Sequence, residues 1–401
     1  MLIFHNPDRL WYHMTLSQWF RSSRAMDKYS YIFDEEIRKG KVNVLISSNK
    51  NKRYISSIFF KFSRFIRFFL WAKINKLSIK SFNIFFDASS FEKDDVIFSF
   101  FHDNFARLPV CCDEEAYISD LKNTEASILI HLNHYVYSTI KGSERLKFLK
   151  NVFFTAESNL KDHSSFFKKF FKWYTKNFYV LPFCSQKRFV EKKELREKKA
   201  IATGAITYEI NEPHFTDFFK TNILQPERLN ILDKKDALKN VEVIINKYPK
   251  SYRDANFFSF VLDKYIKSFK KYFITFFKTK TTEYYSLDIV SLYNSFEFFL
   301  CPGELGDLPG IGISEGMSSG AILISKRYDY FDDYELIPNN NYLEYDGSIE
   351  NLEKVIDNFK DDQEKINALR ERSLKTAKKF FSQNSCLKVF SEILIDIKSE
   401  R

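Results

Sequence analysis

Three acids and a run of glycines share one stretch of the chain, CPGELGDLPGIGISEGMSSGAILIS at residues 301–325. Glu304, Asp307 and Glu315 are carboxylates that can each accept paired hydrogen bonds from hydroxyl groups. Gly310 and Gly312 flank Ile311, and glycine lets backbone N–H groups come close to a ligand. The apolar run 298–301 reads as a strand ahead of this loop, and 321–325 as a strand behind it. Between them 314–320 suits a short helix, with Ser314 as a possible N-cap before Glu315. Strand, glycine loop, helix start and strand is an arrangement by which α/β folds turn bare amides and a helix dipole toward an anion. An ordinary βα connection with incidental acids has the same spacing.

Such a loop needs a sheet to hold it, and the chain supplies the runs to build one. Compact apolar runs at 42–46, 82–86, 96–100, 127–131, 152–155 and 178–182 alternate with polar or helical stretches. A second series follows at 200–206, 241–245, 272–277, 298–301 and 321–325. Short, nearly continuous apolar runs are expected where helices cover both faces of a parallel sheet. Residues 1–40 read as helical and polar, and 349–398 as helical by spacing, free of proline and glycine. The charged stretch RFVEKKELREKK, 188–199, reads as a linker or exposed helix. The expected organisation is α/β with two Rossmann-like domains, 1–187 and 188–375, and a C-terminal helical segment, 376–401, returning toward the first.

At 401 residues the chain exceeds a usual single core, and 44% hydrophobic content excludes a mainly disordered protein. A formal charge of +10 and a pI near 9.0 point to an anionic partner: a phosphorylated substrate, a membrane surface or nucleic acid. The five cysteines are odd in number, scattered and without C-x-x-C spacing. That pattern argues against a disulfide frame or a zinc site and for a reducing, cytoplasmic setting. No run approaches the roughly 20 apolar residues of a membrane span.

The spacing Asp307-x7-Glu315, followed by Glu315-Gly-Met-Ser-Ser-Gly320, resembles the E-x7-E signature of group 1 glycosyltransferases. The string YDYFDDYELIPNNNYLEYDGSIENLEKVIDNF, 328–359, resembles the same family as the loop, short strand and Leu-rich helix beyond that signature. The first acid here is Asp307 where the family has Glu, and Glu304 competes for its place. The resemblance implies a GT-B-like fold and a retaining glycosyltransferase without a cofactor. Its donor would be a nucleoside-diphosphate sugar and its acceptor a glycan or lipid-linked molecule of bacterial surface polysaccharide synthesis. Glu315 would hold the ribose hydroxyls, Asp307 or Glu304 would contact the donor sugar, and the Gly310, Ile311 and Gly312 backbone would approach phosphate.

A diphosphate leaving group needs positive charge to disperse what develops on it. The chain has no Asp-x-Asp pair, which disfavours a metal and favours cations of the second domain. The segment FFKTNILQPERL, 218–229, follows the strand carrying Gly204; it offers Arg228 first and Lys220 second, although most basic residues simply solvate a surface. In the first domain His131 and His134 end the run ASILIHLNHYVYS. The resemblance implies a histidine near the donor sugar, and a core histidine is the bland alternative. Glu157 ends the next predicted strand, either on the acceptor side or as an acid at the start of the following helix.

Two stretches interleave aromatics with Lys and Arg, 55–80 and 166–178, as interfacial helices do on anionic lipid. Packing of the same Phe faces onto the sheet is the competing expectation. Peripheral contact with the cytoplasmic face of a membrane is therefore carried forward. Two other classes remain open. One is a nucleotide-sugar 2-epimerase of the same architecture; the other is a non-catalytic lipid- or nucleic-acid-binding protein. No nucleic-acid module is recognisable in the sequence, which ranks nucleic acid last.

Overall fold

The computed structural model describes residues 1–5, 29–40, 42–46, 69, 78–100, 118, 121–132, 146–206, 208, 213–247, 287–306 and 308–400. The chain divides into two compact units. One comprises Met1–Ala156, Ser165–Leu181 and Leu387–Arg401; the other comprises Glu157–Ser164 and Pro182–Cys386. The main passage between them lies at 181/182, against an expected 187/188, and the C-terminal return begins at Leu387, against 376.

The first unit contains strands β1 (Leu2–His5), β2 (Val42–Leu45), β3 (Phe82–Phe85), β4 (Val96–Phe100), β5 (Ser127–His131), β6 (Val152–Ala156) and β7 (Phe178–Val180). They form one parallel sheet in the order β3-β2-β1-β4-β5-β6-β7. Every residue of β5 and β6 is buried, as a strand covered on both faces requires.

The helical reading of 1–40 holds at 30–38 and is corrected at its start, while 6–28 lie outside the described residues. Helix α1 spans Ser30–Arg38, and Leu2–His5 is an interior strand of the sheet, between β2 and β4. Ile3 and Phe4 are buried there; β-branched and aromatic residues suit a pleated, covered surface. The polar residues that follow had masked a run of only a few residues.

Helices α2 (Leu160–His163) and α3 (Ser165–Phe170) follow β6. Phe166, Phe167, Phe171 and Phe178 are all buried. Phe167 stacks on Phe171 with centroids 4.5 Å apart, and both meet Phe154 of β6 edge-on. The aromatic face of 166–178 thus belongs to the core. The other basic aromatic stretch, 55–80, lies almost wholly outside the described residues. From the C-terminal return, Phe390 packs edge-on against Phe98 of β4, centroids 5.1 Å apart.

The second unit contains β8 (Glu197–Ile206), β9 (Val241–Lys247), β10 (Phe296–Leu300), β11 (Ile322–Ser325) and β12 (Leu343–Glu344), parallel in the order β12-β11-β10-β8-β9. The strand expected at 272–277 lies outside the described residues. Helices α4 (Pro213–Phe219) and α5 (Pro226–Asp233) follow β8, α6 (Ile289–Ser295) precedes β10, and α7 (Gly312–Ser318) joins β10 to β11.

The C-terminal run 349–398 forms three helices, α8 (Ile349–Phe359), α9 (Gln363–Phe381) and α10 (Gln383–Ser399). Ser348 caps α8 by accepting from the Asn351 amide, and Asp362 caps α9 by accepting from Lys365. Ile349, Leu352 and Ile356 of α8 and Ile366, Leu369, Ala377 and Phe381 of α9 are buried. Spacings of three, four and eight residues place each set on one face. Ala200, Phe298, Leu300, Ile322 and Ile324 of the sheet join α8 and the start of α9 in one core.

The charged stretch 188–199 is neither helix nor simple linker. Its last residues, from Glu197, open β8. Arg196 is buried and donates to the carbonyls of Tyr293, Phe296 and Ser319 and to Asn294 Oδ1. A guanidinium carries five donors in a rigid fork, so one side chain satisfies carbonyls at the ends of both α6 and α7. Arg370 of α9 adds a bond to the Gly320 carbonyl and pairs with the buried Glu297 carboxylate.

Candidate active site in the second unit

The loop 301–311 leaves the carboxyl end of β10, where open α/β sheets bind ligands. Its backbone is tied at several points. Glu304 N donates to Leu308 O at 2.9 Å, Leu305 N to Leu224 O at 2.9 Å, and Gly303 N to the Tyr328 hydroxyl at 3.0 Å. Glu304 is therefore held on an ordered stretch. Asp307 lies outside the described residues, as does His134.

Helix α7 begins at Gly312, ahead of the expected 314–320. Ser314 is inside it and is not its N-cap. Its hydroxyl turns back to the Ile311 carbonyl at 2.9 Å, a local bond open to any serine within a helical turn. Glu315 stands in the first turn, and its carbonyl accepts from both the amide and the hydroxyl of Ser319.

Packing explains the glycines of this loop. A Cβ on Gly310 would stand 2.8 Å from Cys301 Sγ; one on Gly312 would stand 2.9 Å from the same sulfur and 2.8 Å from the Tyr293 hydroxyl. The buried thiol of Cys301 lies directly under the loop and admits no side chain at either position. Burial pushes that thiol up to about 11; the Arg228 guanidinium opposes the shift and the Glu315 and Glu304 carboxylates add to it. All three charged groups act on the Cys301 thiol.

Arg228, on α5, reaches the same loop. Its guanidinium lies over Gly204, with Nε 3.1 Å from where a Cβ would be, and Gly204 adopts φ +138°. Nη1 donates to the Ala205 carbonyl at 3.1 Å, and Nη2 stands 3.4 Å from the Cβ position of Gly310. Nε is buried and finds no hydrogen-bond partner among the described residues. Gly204, Arg228, Gly310, Gly312 and Cys301 are thus brought together from β8, α5 and the loop after β10. Lys220 stands exposed past the end of α4, with φ 56°, outside this contact set.

In the first unit His131 is fully buried at the end of β5, its ring 4.5 Å from that of Tyr29. Glu157, which belongs to the second unit, is fully buried, and its carbonyl accepts from the Tyr334 hydroxyl of the same unit. It does not cap the next helix; Asn159 does, accepting from the Asp162 amide at 3.3 Å.

Sequence reasoning missed Glu227, Lys326 and Tyr328. Glu227 pairs with Lys326 Nζ at 2.6 Å and accepts from the Tyr328 hydroxyl at 2.6 Å. Burial first, then the Glu227 carboxylate, raises the Tyr328 phenol well above its ordinary range. The one signal was adjacency, because Glu227 precedes Arg228. Sequence spacing holds nothing of a partner about a hundred residues away. Among the described residues no group of three or more His, Cys, Asp or Glu could hold a metal ion.

No family model matches the chain, and no curated protein matches it. Solved structures do. A structure of the GtfA/B complex aligns at 12% identity over 77% of this chain and 58% of that one, TM-score 0.42, so the chain spans under two thirds of its length. A glycosyltransferase from Rickettsia africae aligns at 13% identity over 99% of this chain and 98% of that one, TM-score 0.49. HepE of Anabaena, solved in complex with UDP and glucose, aligns at 9% identity over 98% of this chain and 99% of that one, TM-score 0.52. This last likeness shows the fold: α/β, with two parallel sheets and C-terminal helices in the GT-B-like architecture.

Proposed function

We propose that the chain is a glycosyltransferase using a nucleoside-diphosphate sugar, with the donor held by the second unit. The observation that carries this reading is the placement of Arg228 over Gly204 and against Gly310, at the loop bearing Glu304 and next to the helix bearing Glu315. A cation and close-packed glycine backbone suit a diphosphate, while carboxylates accept from sugar hydroxyls. Arg228 would disperse the charge of the leaving diphosphate, so the transfer would need no metal. Glu315 would hold the ribose, and Glu304 or Asp307 the donor sugar. UDP is the first nucleotide to try, since HepE was solved with it.

The finer assignments are of the same standing. We propose a retaining hexosyl transfer to a glycan or lipid-linked acceptor in bacterial surface polysaccharide synthesis, with the first unit serving the acceptor and His134 or His131 lying near the donor sugar. A place at the cytoplasmic membrane face now rests on 55–80, because the aromatics of 166–178 are in the core. Among the described residues no helix is long and apolar enough to cross a membrane.

The test is calorimetric titration with UDP and other nucleoside diphosphates, repeated on Glu315→Ala. Wild-type binding that is abolished in a folded Glu315→Ala variant is expected. Absence of binding by any nucleoside diphosphate, or unchanged affinity in the variant, would sink the donor-site reading. Release of free nucleoside diphosphate only when acceptor is present separates a transferase from an epimerase.

A further inference from the structure

We propose that Glu227 is a positioning residue, which fixes the Arg228 arm against the loop of Glu304 by way of Tyr328. Its consequence for binding rests on the donor-site reading above; the contacts themselves do not.

Glu227 and Arg228 are consecutive in the first turn of α5, so a restraint on one side chain restrains the backbone that aims the other. One Glu227 oxygen accepts from the Tyr328 hydroxyl at 2.6 Å. An ionised carboxylate only accepts, so the single phenolic proton points at Glu227 and the oxygen lone pairs face away. The Gly303 amide donates to that same oxygen at 3.0 Å, and Gly303 immediately precedes Glu304. The link therefore runs from α5 through a carboxylate and a phenol to the backbone of the acid-bearing loop. A charge-assisted bond at its base makes it stiffer than a neutral pair.

The surroundings support the same function. The Tyr328 ring stacks on the buried Tyr330 ring, with centroids 5.1 Å apart and planes 15° from parallel, which fixes where its hydroxyl stands. A Cβ on Gly303 would lie 2.8 Å from the Tyr330 hydroxyl and 3.0 Å from the Tyr328 ring. Glycine is what lets this amide reach the phenol. A second tie, Leu305 N to Leu224 O at 2.9 Å, joins the same loop to the residues just ahead of α5. Glu227 would by itself repel an anion beside Arg228. The Lys326 ammonium, 2.6 Å from its other oxygen, neutralises it.

The experiment uses the full chain and the variants Glu227→Ala, Glu227→Gln and Tyr328→Phe. Amide hydrogen exchange is followed at residues 303–305 without ligand, and UDP affinity is measured by calorimetry. In Glu227→Ala and Tyr328→Phe, exchange at these amides should rise about tenfold and UDP affinity fall about tenfold. Glu227→Gln keeps an acceptor for Tyr328 and should stay within about threefold of wild type in both readouts. Unchanged exchange at 303–305 in Tyr328→Phe overturns the proposal, as does unchanged UDP affinity in variants whose exchange has risen. Should Glu227→Ala fail to fold, Tyr328→Phe, which loses one oxygen, decides. If wild-type chain binds no nucleoside diphosphate, the donor reading falls and the exchange result alone decides the coupling.

Discussion

Arg228 lies across Gly204, its Nε 3.1 Å and its Cζ 3.2 Å from where a Cβ on residue 204 would stand. The cation and the glycine are one feature, since the guanidinium occupies the space that a side chain on β8 would take. Gly204 also sits at φ +138°, which L residues rarely adopt.

The first prediction concerns this pair. Gly204→Ala should strain the backbone and displace the guanidinium, lowering stability by ~1–3 kcal/mol and UDP affinity about tenfold. Arg228→Ala should lose the affinity with little change in urea midpoint, because its side chain is only half-buried. Titration and urea unfolding of both variants check this. A Gly204→Ala chain that binds UDP as wild type does would rule the relationship out.

A second prediction concerns how α7 rests on the sheet. A Cβ on Gly316 would stand 2.5 Å from Phe299 Cζ and 2.6 Å from Cε2, so the helix bearing Glu315 lies flat on that ring. Gly316→Ala should cost ~1–3 kcal/mol through overpacking. Phe299→Leu in the same chain should return part of the loss, as contacting residues couple. Urea unfolding of the two single variants and the double variant measures the coupling. Strictly additive losses would show that the ring is not the obstacle.

The third prediction is a pH dependence. Burial raises the Cys301 thiol from 9.0 to about 11. Between those values the unfolded chain has lost the proton that the folded chain keeps. Stability from this group is therefore fully present below pH 9.0 and declines as pH rises toward about 11. A shift of that size corresponds to ~3 kcal/mol at the limit. Wild type should thus lose more stability than Cys301→Ala between about pH 8.5 and 10.5, by ~2 kcal/mol. Parallel losses in denaturant unfolding would contradict the burial. Other alkaline groups are shared by both chains and cancel in the difference.

Much of the framework was legible because it is written in short-range pattern. Runs such as Ser127–His131 and Val152–Ala156 are largely apolar, and every residue of both is buried. The short strand and the helix expected in 328–359 are present as β12 and α8, and the expected loop ahead of them contains a 3₁₀ turn at Asp329–Tyr334. Leu2–His5 was missed because a strand of four residues followed by polar sequence has no periodicity to detect. Ser314 was misplaced as a cap because helix ends depend on backbone geometry and shift by a residue or two from any pattern.

The strand, loop, helix and strand layout of 301–325 was legible in its own residues, and Arg228 could be singled out as a cation following the strand of Gly204. Composition and spacing determined that much, because strands and glycine loops are local in the chain. Tertiary structure decided that Arg228 covers Gly204 and approaches Gly310. It also placed the Cys301 sulfur under both loop glycines, and buried Arg196 in a stretch whose composition reads as solvent-facing. Only the fold could join Glu227 to Tyr328 and Tyr328 to Gly303. The reason is physical: hydrogen bonds and steric exclusions act over a few ångströms in space, whatever the distance along the chain.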